Sequence, residues 1–373
     1  MVPKLNKSLS LLARIFVIAL LSLFVSFIFG CEEKYEKEER NDEEAVLDDE
    51  DQNEVSPDSD QNEIQDETPA EIPDETPDEE GHEAVDETPD EDEEIPEEEK
   101  IKSVTIGTYN THLFFDKVCD SGNCSDSDFE SVPSDSEYKT KVGDLADSLS
   151  EIGADIILLQ EVEKESCLKD LFEKSGAYDE YYLGEKGSLA SVDTGVMTKG
   201  EITYKNKHTE QIECADCEGG KTTFSRAFLE IHIKLGGREI IVFSAHFKSK
   251  ADDDAPRRLA EAAAAAKILK KTTEKYPDAL IVMGGDLNDE PGSDTLEPFE
   301  SESTFLRVAD ELSTKDQATY SYRGEAIAID HIFWAKSSLG SYKQGSAEVV
   351  KDAPSWYSLG SSDHAALKAT FEF

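Results

Sequence analysis

Residues 280–293 read LIVMGGDLNDEPGS. Four apolar residues, Leu280–Ile281–Val282–Met283, run into Gly284–Gly285, and Asp286, Asn288, Asp289 and Glu290 follow within five positions. A short apolar run bounded by turn residues reads as a buried strand, because a helix needs ten or more residues. The polar groups after it either decorate a solvated turn or act together. In the second case Gly284 and Gly285 leave the backbone room, Asp286 and Asn288 carry the chemistry, and residues 289–292 turn the chain. A calcium loop would place ligands at Asp286, Asn288, Glu290 and Glu297. Against it, Pro291 stands where that loop needs glycine, and a strand rather than a helix precedes it.

The same local design recurs in both directions. Val104–Tyr109 is a strand-like run ending at Asn110, and IILLQEVE (156–163) carries Glu161 just past its apolar part. FLEIHIKL (228–235) and EIIVFSAHF (239–247) flank the hairpin signal Gly236–Gly237 and bring in His246. AIAIDHIFW (326–334) contains Asp330 and His331, and SSDHAAL (361–367) contains Asp363 and His364 at the head of HAALKATFEF. Apolar residues at Val142, Leu145, Ala146, Leu149 and Ile152 have helical spacing over 138–152. A second, outer helix is expected from Pro256 to about Lys271, after the acids Asp252–Asp254. Strands and helices alternate only in part, with hairpins between. That order fits an α+β fold of two packed, mostly antiparallel sheets flanked by helices better than a doubly wound parallel sheet.

Each polar residue has an ordinary explanation when taken alone. Asn110 reads as a strand-end cap, Glu161 as a solvent-facing carboxylate, His246 as a satisfied core histidine, and Asp330–His331 and Asp363–His364 as turn residues. Taken together, each stands at the C-terminal end of an apolar strand, so a shared rim would make them converge. Carboxylates and amide oxygens suit a hard ion such as Mg2+, with Mn2+ or Ca2+ as alternatives. Two imidazoles beside them can handle protons near neutral pH.

The rest of the 373 residues divides by composition. Lys4, Lys7 and Arg14 precede a charge-free apolar stretch that ends at Cys31, the pattern of a secretory signal over 1–30. Ile28–Phe29–Gly30–Cys31 resembles a bacterial lipobox, although Phe29 departs from the small residue usual there; plain secretion or an uncleaved anchor are the alternatives. A lipid on Cys31 would hold the chain to a membrane, at the cell surface or in the periplasm. Residues 31–100 hold 35 of the 84 acids against four bases, and DETP recurs at 66, 74 and 86. Such a segment buries too little apolar surface to order itself and is expected to be a disordered spacer. Residues 101–373 form one domain, expected to be monomeric, with 49 acids and 30 bases. That balance opposes gripping a polyanion by charge alone, so such a substrate needs divalent cations or a local basic patch. Among the remaining cysteines, CDSGNC and CADC point to 119–124 and 214–217 disulfides with Cys167 left over, and zinc is the less favoured use.

In this order the motifs resemble the endonuclease/exonuclease/phosphatase superfamily, the DNase I-like fold, over nearly all of 102–373. QEVE, GDLND and the terminal SDH carry the resemblance together; YN…LFFD, HFKSK and SYRGEAIAIDHIF look most like extracellular bacterial nucleases. The resemblance implies a four-layer α/β/β/α sandwich and a phosphodiesterase or phosphatase site. It implies metal binding by Glu161, with Asn110 and Asp363 on the metal side, and catalytic roles for His246, Asp286, Asn288, Asp330 and His364. Asp330 would orient His364, and Asn110 and Arg226 would contact substrate phosphate. No motif position falls on His331, which is expected to pack or hydrogen-bond locally. Three functions follow: a nuclease, a phosphoesterase acting on sphingomyelin or phosphoinositides, or a non-catalytic surface interaction protein. No exposed aromatic hairpin suited to lipid insertion is visible in the sequence.

Overall fold

A computed structural model describes residues 100–373 apart from 126, 188–189, 252–253, 302 and 354–356. The signal segment, Cys31 and the acidic spacer lie outside the described residues. Among the described residues no helix is long and apolar enough to cross a membrane.

The chain runs β1 (Ser103–Phe114), α1 (Asp135–Ile152), β2 (Ile156–Val162), α2 (Glu165–Ser175), β3 (Glu180–Leu183) and β4 (Asp193–Thr198). Next come β5 (Glu201–His208), β6 (Gln211–Glu213), β7 (Lys221–Thr223), β8 (Phe228–Leu235), β9 (Arg238–His246) and α3 (Ala255–Lys275). Then follow β10 (Leu280–Asp286), α4 (Glu297–Glu300), β11 (Phe305–Arg307), β12 (Tyr320–Tyr322) and β13 (Glu325–Ile327). The chain closes with β14 (Asp330–Ala335), β15 (Ser341–Tyr342), β16 (Glu348–Val350) and β17 (Ala366–Glu372).

Two sheets result. One has the order β15-β17-β1-β2-β4-β3, with β16 also on β17, and the other β11-β14-β10-β9-β8-β5. Each holds one central parallel pair, β1 with β2 and β9 with β10, and every other pairing within them is antiparallel.

Strand periodicity sorts the apolar residues into three cores. Ile156 and Leu158 face the other sheet, where Val242 and Val282 meet them. Their neighbours Ile157 and Leu159 pack with Leu145, Leu149 and Ile152 of α1 and Leu168 and Leu171 of α2. Ile281 and Met283 pack with Ala262, Ala265 and Leu269 of α3. Strands buried on both faces explain why IILL and LIVM read as continuous apolar runs. The layers are helix, sheet, sheet, helix, as the resemblance implied.

Several boundaries differ from expectation. Helix α1 begins at Asp135 because Ser134 and Glu137 form a reciprocal capping box, and Gly153 ends it at φ 64°. Helix α3 begins where Asp254 accepts from Arg257 N and continues to Lys275. The segment 326–334 is two strands rather than one, because Thr319 Oγ1 takes up the amides of Ile329 and Asp330 between β13 and β14. Strand β1 runs past Asn110 to Phe114, and its register with β2 shifts between those residues. Both expected disulfides, Cys119–Cys124 and Cys214–Cys217, are formed, and Cys167 is a buried free thiol. Zinc therefore has no thiolate pair to use.

Candidate active site

Sheet register alone brings the first residues together. Asp286, last in β10, pairs with His246 of β9 on one side and with Asp330 of β14 on the other. The close approach depends on glycine: a Cβ on Gly285 would lie 1.9 Å from Ala245 O, and one on Gly284 would lie 2.9 Å from Leu158 Cδ1. Asn110 and Glu161 arrive from the parallel pair of the facing sheet. Asp330 and His364 do not close their strands, as the sequence had implied; Asp330 opens β14 and His364 precedes β17. Both strands run antiparallel to the central pairs, so their beginnings share the edge where β1, β2, β9 and β10 end.

The backbone is bent to aim these groups. His112, Leu113, Glu161 and Asn288 all have positive φ, at 53°, 45°, 62° and 52°. Such conformations cost side-chain-bearing residues roughly 1–3 kcal/mol each and collect at functional sites. The turn at Glu161 coincides with register shifts of β2 against both neighbours. Its Oε2 then accepts from Leu113 N at 2.7 Å.

Asn110 Nδ2 lies 3.1 Å from both Glu161 Oε1 and Asp286 Oδ2, tying the two carboxylates across the sheets. His246 Nε2 stands 3.9 Å from Glu161 Oε1 and 3.8 Å from Asp286 Oδ2. Asn288 donates its backbone N–H to Asp286 Oδ1 at 2.8 Å and its side-chain amide to Phe247 O at 3.1 Å. His364 Nδ1 bonds Asp330 Oδ2 at 2.8 Å, which leaves Nε2 facing Asp286 Oδ2 at 3.9 Å. Tyr320 covers the His364 ring at 4.8 Å.

The electrostatics follow from burial and neighbours. Burial alone would lower the His364 pKa, but Asp330 and then Asp286 and Asp363 raise it to about 10. His246 goes the other way: burial, Arg226 and His364 all hold it well below its usual range, so it is neutral. Burial and the adjacent Asp330 raise Asp286 to about 7. Burying carboxylates costs several kcal/mol per ion, and the His364 imidazolium set among them offsets part of that cost. Glu161, His246 and Asp286 offer ligand atoms within 4.8 Å of one another. Two carboxylates with no lysine or arginine paired to them in the described contacts, beside a neutral imidazole, suit a divalent cation.

The remaining predicted residues surround these. Asp363 is not one of the three ligands just named, but its Oδ1 lies 3.9 Å from His364 Nε2 and 2.9 Å from His112 Nδ1. Arg226 donates Nε to Val192 O at 3.4 Å and acts on His246 through its charge. His331 is buried and bonds Asp289 O at 2.9 Å, the local role expected of it.

Asp289 corrects the sequence reading, since it does more than turn the chain. It is buried, with Oδ1 2.6 Å from Lys250 Nζ, and accepts from Thr295 Oγ1 at 2.7 Å, which fixes the loop after β10. The sequence also missed Ser362, whose Oγ donates to Asn110 O at 2.7 Å and accepts from His364 N at 3.0 Å. Lys141 of α1 was missed as well; it donates to His112 O at 2.8 Å and Ser361 O at 2.7 Å. The SSDH motif could have signalled Ser362. Nothing in the α1 pattern marks Lys141, which reads as an ordinary exposed lysine. The β12–β13 hairpin carries one exposed aromatic ring, Tyr322 at 53%, next to the turn that Arg323 and Gly324 make at φ 51° and 83°.

A model of the endonuclease/exonuclease/phosphatase family matches residues 105–357. Truncated TDP2 from Caenorhabditis elegans superposes with a TM-score of 0.52 at 16% identity, covering 73% of this chain and 98% of that one. An endonuclease/exonuclease/phosphatase protein from Bacteroides vulgatus gives 0.51 at 16% identity, covering 73% and 100%. At that identity the likeness is one of fold. No curated protein matches the chain.

Proposed function

Because the chain belongs to the endonuclease/exonuclease/phosphatase family, we propose that it is a divalent-metal-dependent phosphodiesterase whose substrate is nucleic acid. The observation that carries this reading is the line Asp330–His364–Asp286 standing beside Glu161 and His246. A binding protein has no use for a buried carboxylate–imidazole pair aimed at a second buried carboxylate.

The residues divide the work. Asp330 holds the His364 ring in orientation and favours its protonated form, so Nε2–H is presented to substrate, where it donates to a phosphate oxygen. Asp286, fixed by Asn288 N–H and Asn110 Nδ2, is the acceptor that takes a proton from attacking water. Neutral His246 and the Asn288 amide line the same wall as polar contacts for the phosphate, and such fixed groups need no reorganisation during reaction. Glu161 and Asp286 would hold the cation, with His246 beside them, and bound there it would offset charge on the nonbridging phosphate oxygens.

The test gives purified full-length protein plasmid DNA, RNA, sphingomyelin and bis(4-nitrophenyl) phosphate, with Mg2+, Mn2+ or Ca2+ and with EDTA. EDTA-sensitive nicking of plasmid or cleavage of RNA is expected. Lipid hydrolysis without either would move the substrate to phospholipid, and silence on every substrate would leave a binding protein. The proposal includes location, with the chain exported and anchored through a lipid on Cys31. Cys31→Ser should then move the protein from the membrane to the soluble fraction, and unchanged partition would remove the anchor.

A further inference from the structure

With an excess of acids in 101–373, a polyanionic substrate calls for divalent cations or a local basic patch, and a group of bases stands beside the centre. Lys186, Arg226, Lys248 and Arg257 line a single cavity of about 230 Å³, with Phe129 on its wall. The acids among them have partners of their own, and one of these is a cation of the cavity: Glu261 Oε1 lies 3.5 Å from Arg257 Nε. Asp193 accepts from Ser191 Oγ at 2.8 Å and Lys186 N at 3.3 Å. Glu261 of α3 is fully buried and takes the amides of Ser225 and Lys248, each at 2.6 Å. One carboxylate thus fixes both the loop that carries Arg226 and the loop that leaves His246. Lys186 is held below its usual range by burial and by the charge of Arg257, the behaviour of cations crowded together. Lys186 and Arg257 also reach the carbonyls of Phe224 and Thr223, which uses some of their donors and leaves others for a ligand.

The topology says where this cavity stands. Across the functional edge the strands run β17 and β14, then β1 and β10, then β2 and β9, then β4 and β8. The catalytic groups come from the first three of these pairs. The cationic cavity is made by residues flanking β4, β8 and β9, on one side of the centre. The β12–β13 hairpin, tied to His364 through Tyr320, stands on the other side with Tyr322 and Arg323 exposed. Each flank therefore offers an exposed aromatic ring beside cations. Phe129 is 58% exposed and packs edge-on to Phe115 at 5.6 Å.

We propose that this edge is a track for a nucleic-acid strand, with the phosphate neighbouring the scissile one held by Lys186, Arg226, Lys248 and Arg257. The adjoining base stacks on Phe129, and the strand leaves past Tyr322 and Arg323. Aromatic platforms along a cationic path are how single strands are held without sequence preference. A compact headgroup with one phosphate would fill the centre and leave both flanks unused. The inference rests on the nucleic-acid reading of the site and narrows it to an extended strand.

The test separates binding from hydrolysis. Affinity of full-length protein for a fluorescein-labelled 12-nucleotide single strand is measured in EDTA across KCl concentrations, for wild type and Lys186→Gln/Arg257→Gln. Weakening the hold on that one phosphate should lower affinity at least about tenfold and make the log Kd versus log salt slope shallower by up to about 0.7. Phe129→Ala and Arg323→Gln change exposed side chains and guard against misfolding of the double variant; loss of the ring should cost about fivefold or more. In parallel, the ratio of kcat/KM for the strand to that for bis(4-nitrophenyl) phosphate should fall with affinity. Unchanged affinity and slope in these variants overturns the track, as does a wild type that cleaves the small diester but does not bind the strand. A wild type that binds the strand through these residues and cleaves nothing keeps the track and overturns the hydrolytic reading.

Discussion

His364 Nε2 and Asp286 Oδ2 face each other across 3.9 Å, too far for a hydrogen bond and suited to an oxygen held between them. Asp330 acts on that gap by holding His364 and through its charge on Asp286, so its effect should fall on turnover rather than on substrate binding. Asp330→Asn is expected to lower kcat at least about tenfold with KM little changed. An equal change in both would assign Asp330 to substrate contact instead. Most of these residues were legible because a polar group next to an apolar run leaves few alternatives. Asp289 was misread for a physical reason: its partners are Lys250 in the β9–α3 connection and Arg258 in α3, distant in sequence, and no local pattern announces them. Lys141 and Glu261 share that fate. Each sits on a helix whose sequence reads as amphipathic or alanine-rich, while its charge points into the site's supporting loops.

At the scale of elements, the strands were readable because both faces of β2 and β10 are buried, giving short runs without polar interruption. The register shifts around Asn110 and Glu161 were not readable, since a bulge depends on what the neighbouring strand must accommodate. The edge pair β5 and β8 carries a further device. Glu230 accepts from His208 Nε2 at 2.8 Å and His232 Nε2 at 3.0 Å. Burial would raise Glu230, but these two imidazoles lower it to about 2. A depressed carboxylate stabilises fully above its unfolded value and loses that contribution as pH falls toward the folded one. Wild type should therefore exceed Glu230→Gln in Tm at pH 6, with the gap narrowing from about pH 4.5 downward. Parallel curves from pH 6 to pH 3 would show that the ion pairs add nothing.

For the whole molecule, the sandwich explains how distant segments meet. Two sheets, each with one parallel pair at its middle, end those pairs at a common edge, and the antiparallel neighbours begin there. Residues spread from 110 to 364 in sequence become one site without any long loop reaching inward. The fold class was legible from strand order. The cationic cavity was not, because its four bases are scattered singly over 186–257 and are gathered from three separate connections and the first turn of α3. A net-acidic domain can thus hold a polyanion if charge is concentrated on one flank and a cation supplements it at the centre. The most direct test compares Mg2+-dependent plasmid nicking by full-length wild type, Asp286→Ala and His364→Ala, with folding checked by circular dichroism. Each variant should keep the wild-type spectrum and lose at least about a hundredfold in rate. Near-wild-type nicking by either would contradict the assignment of the Asp330–His364–Asp286 line as the hydrolytic centre.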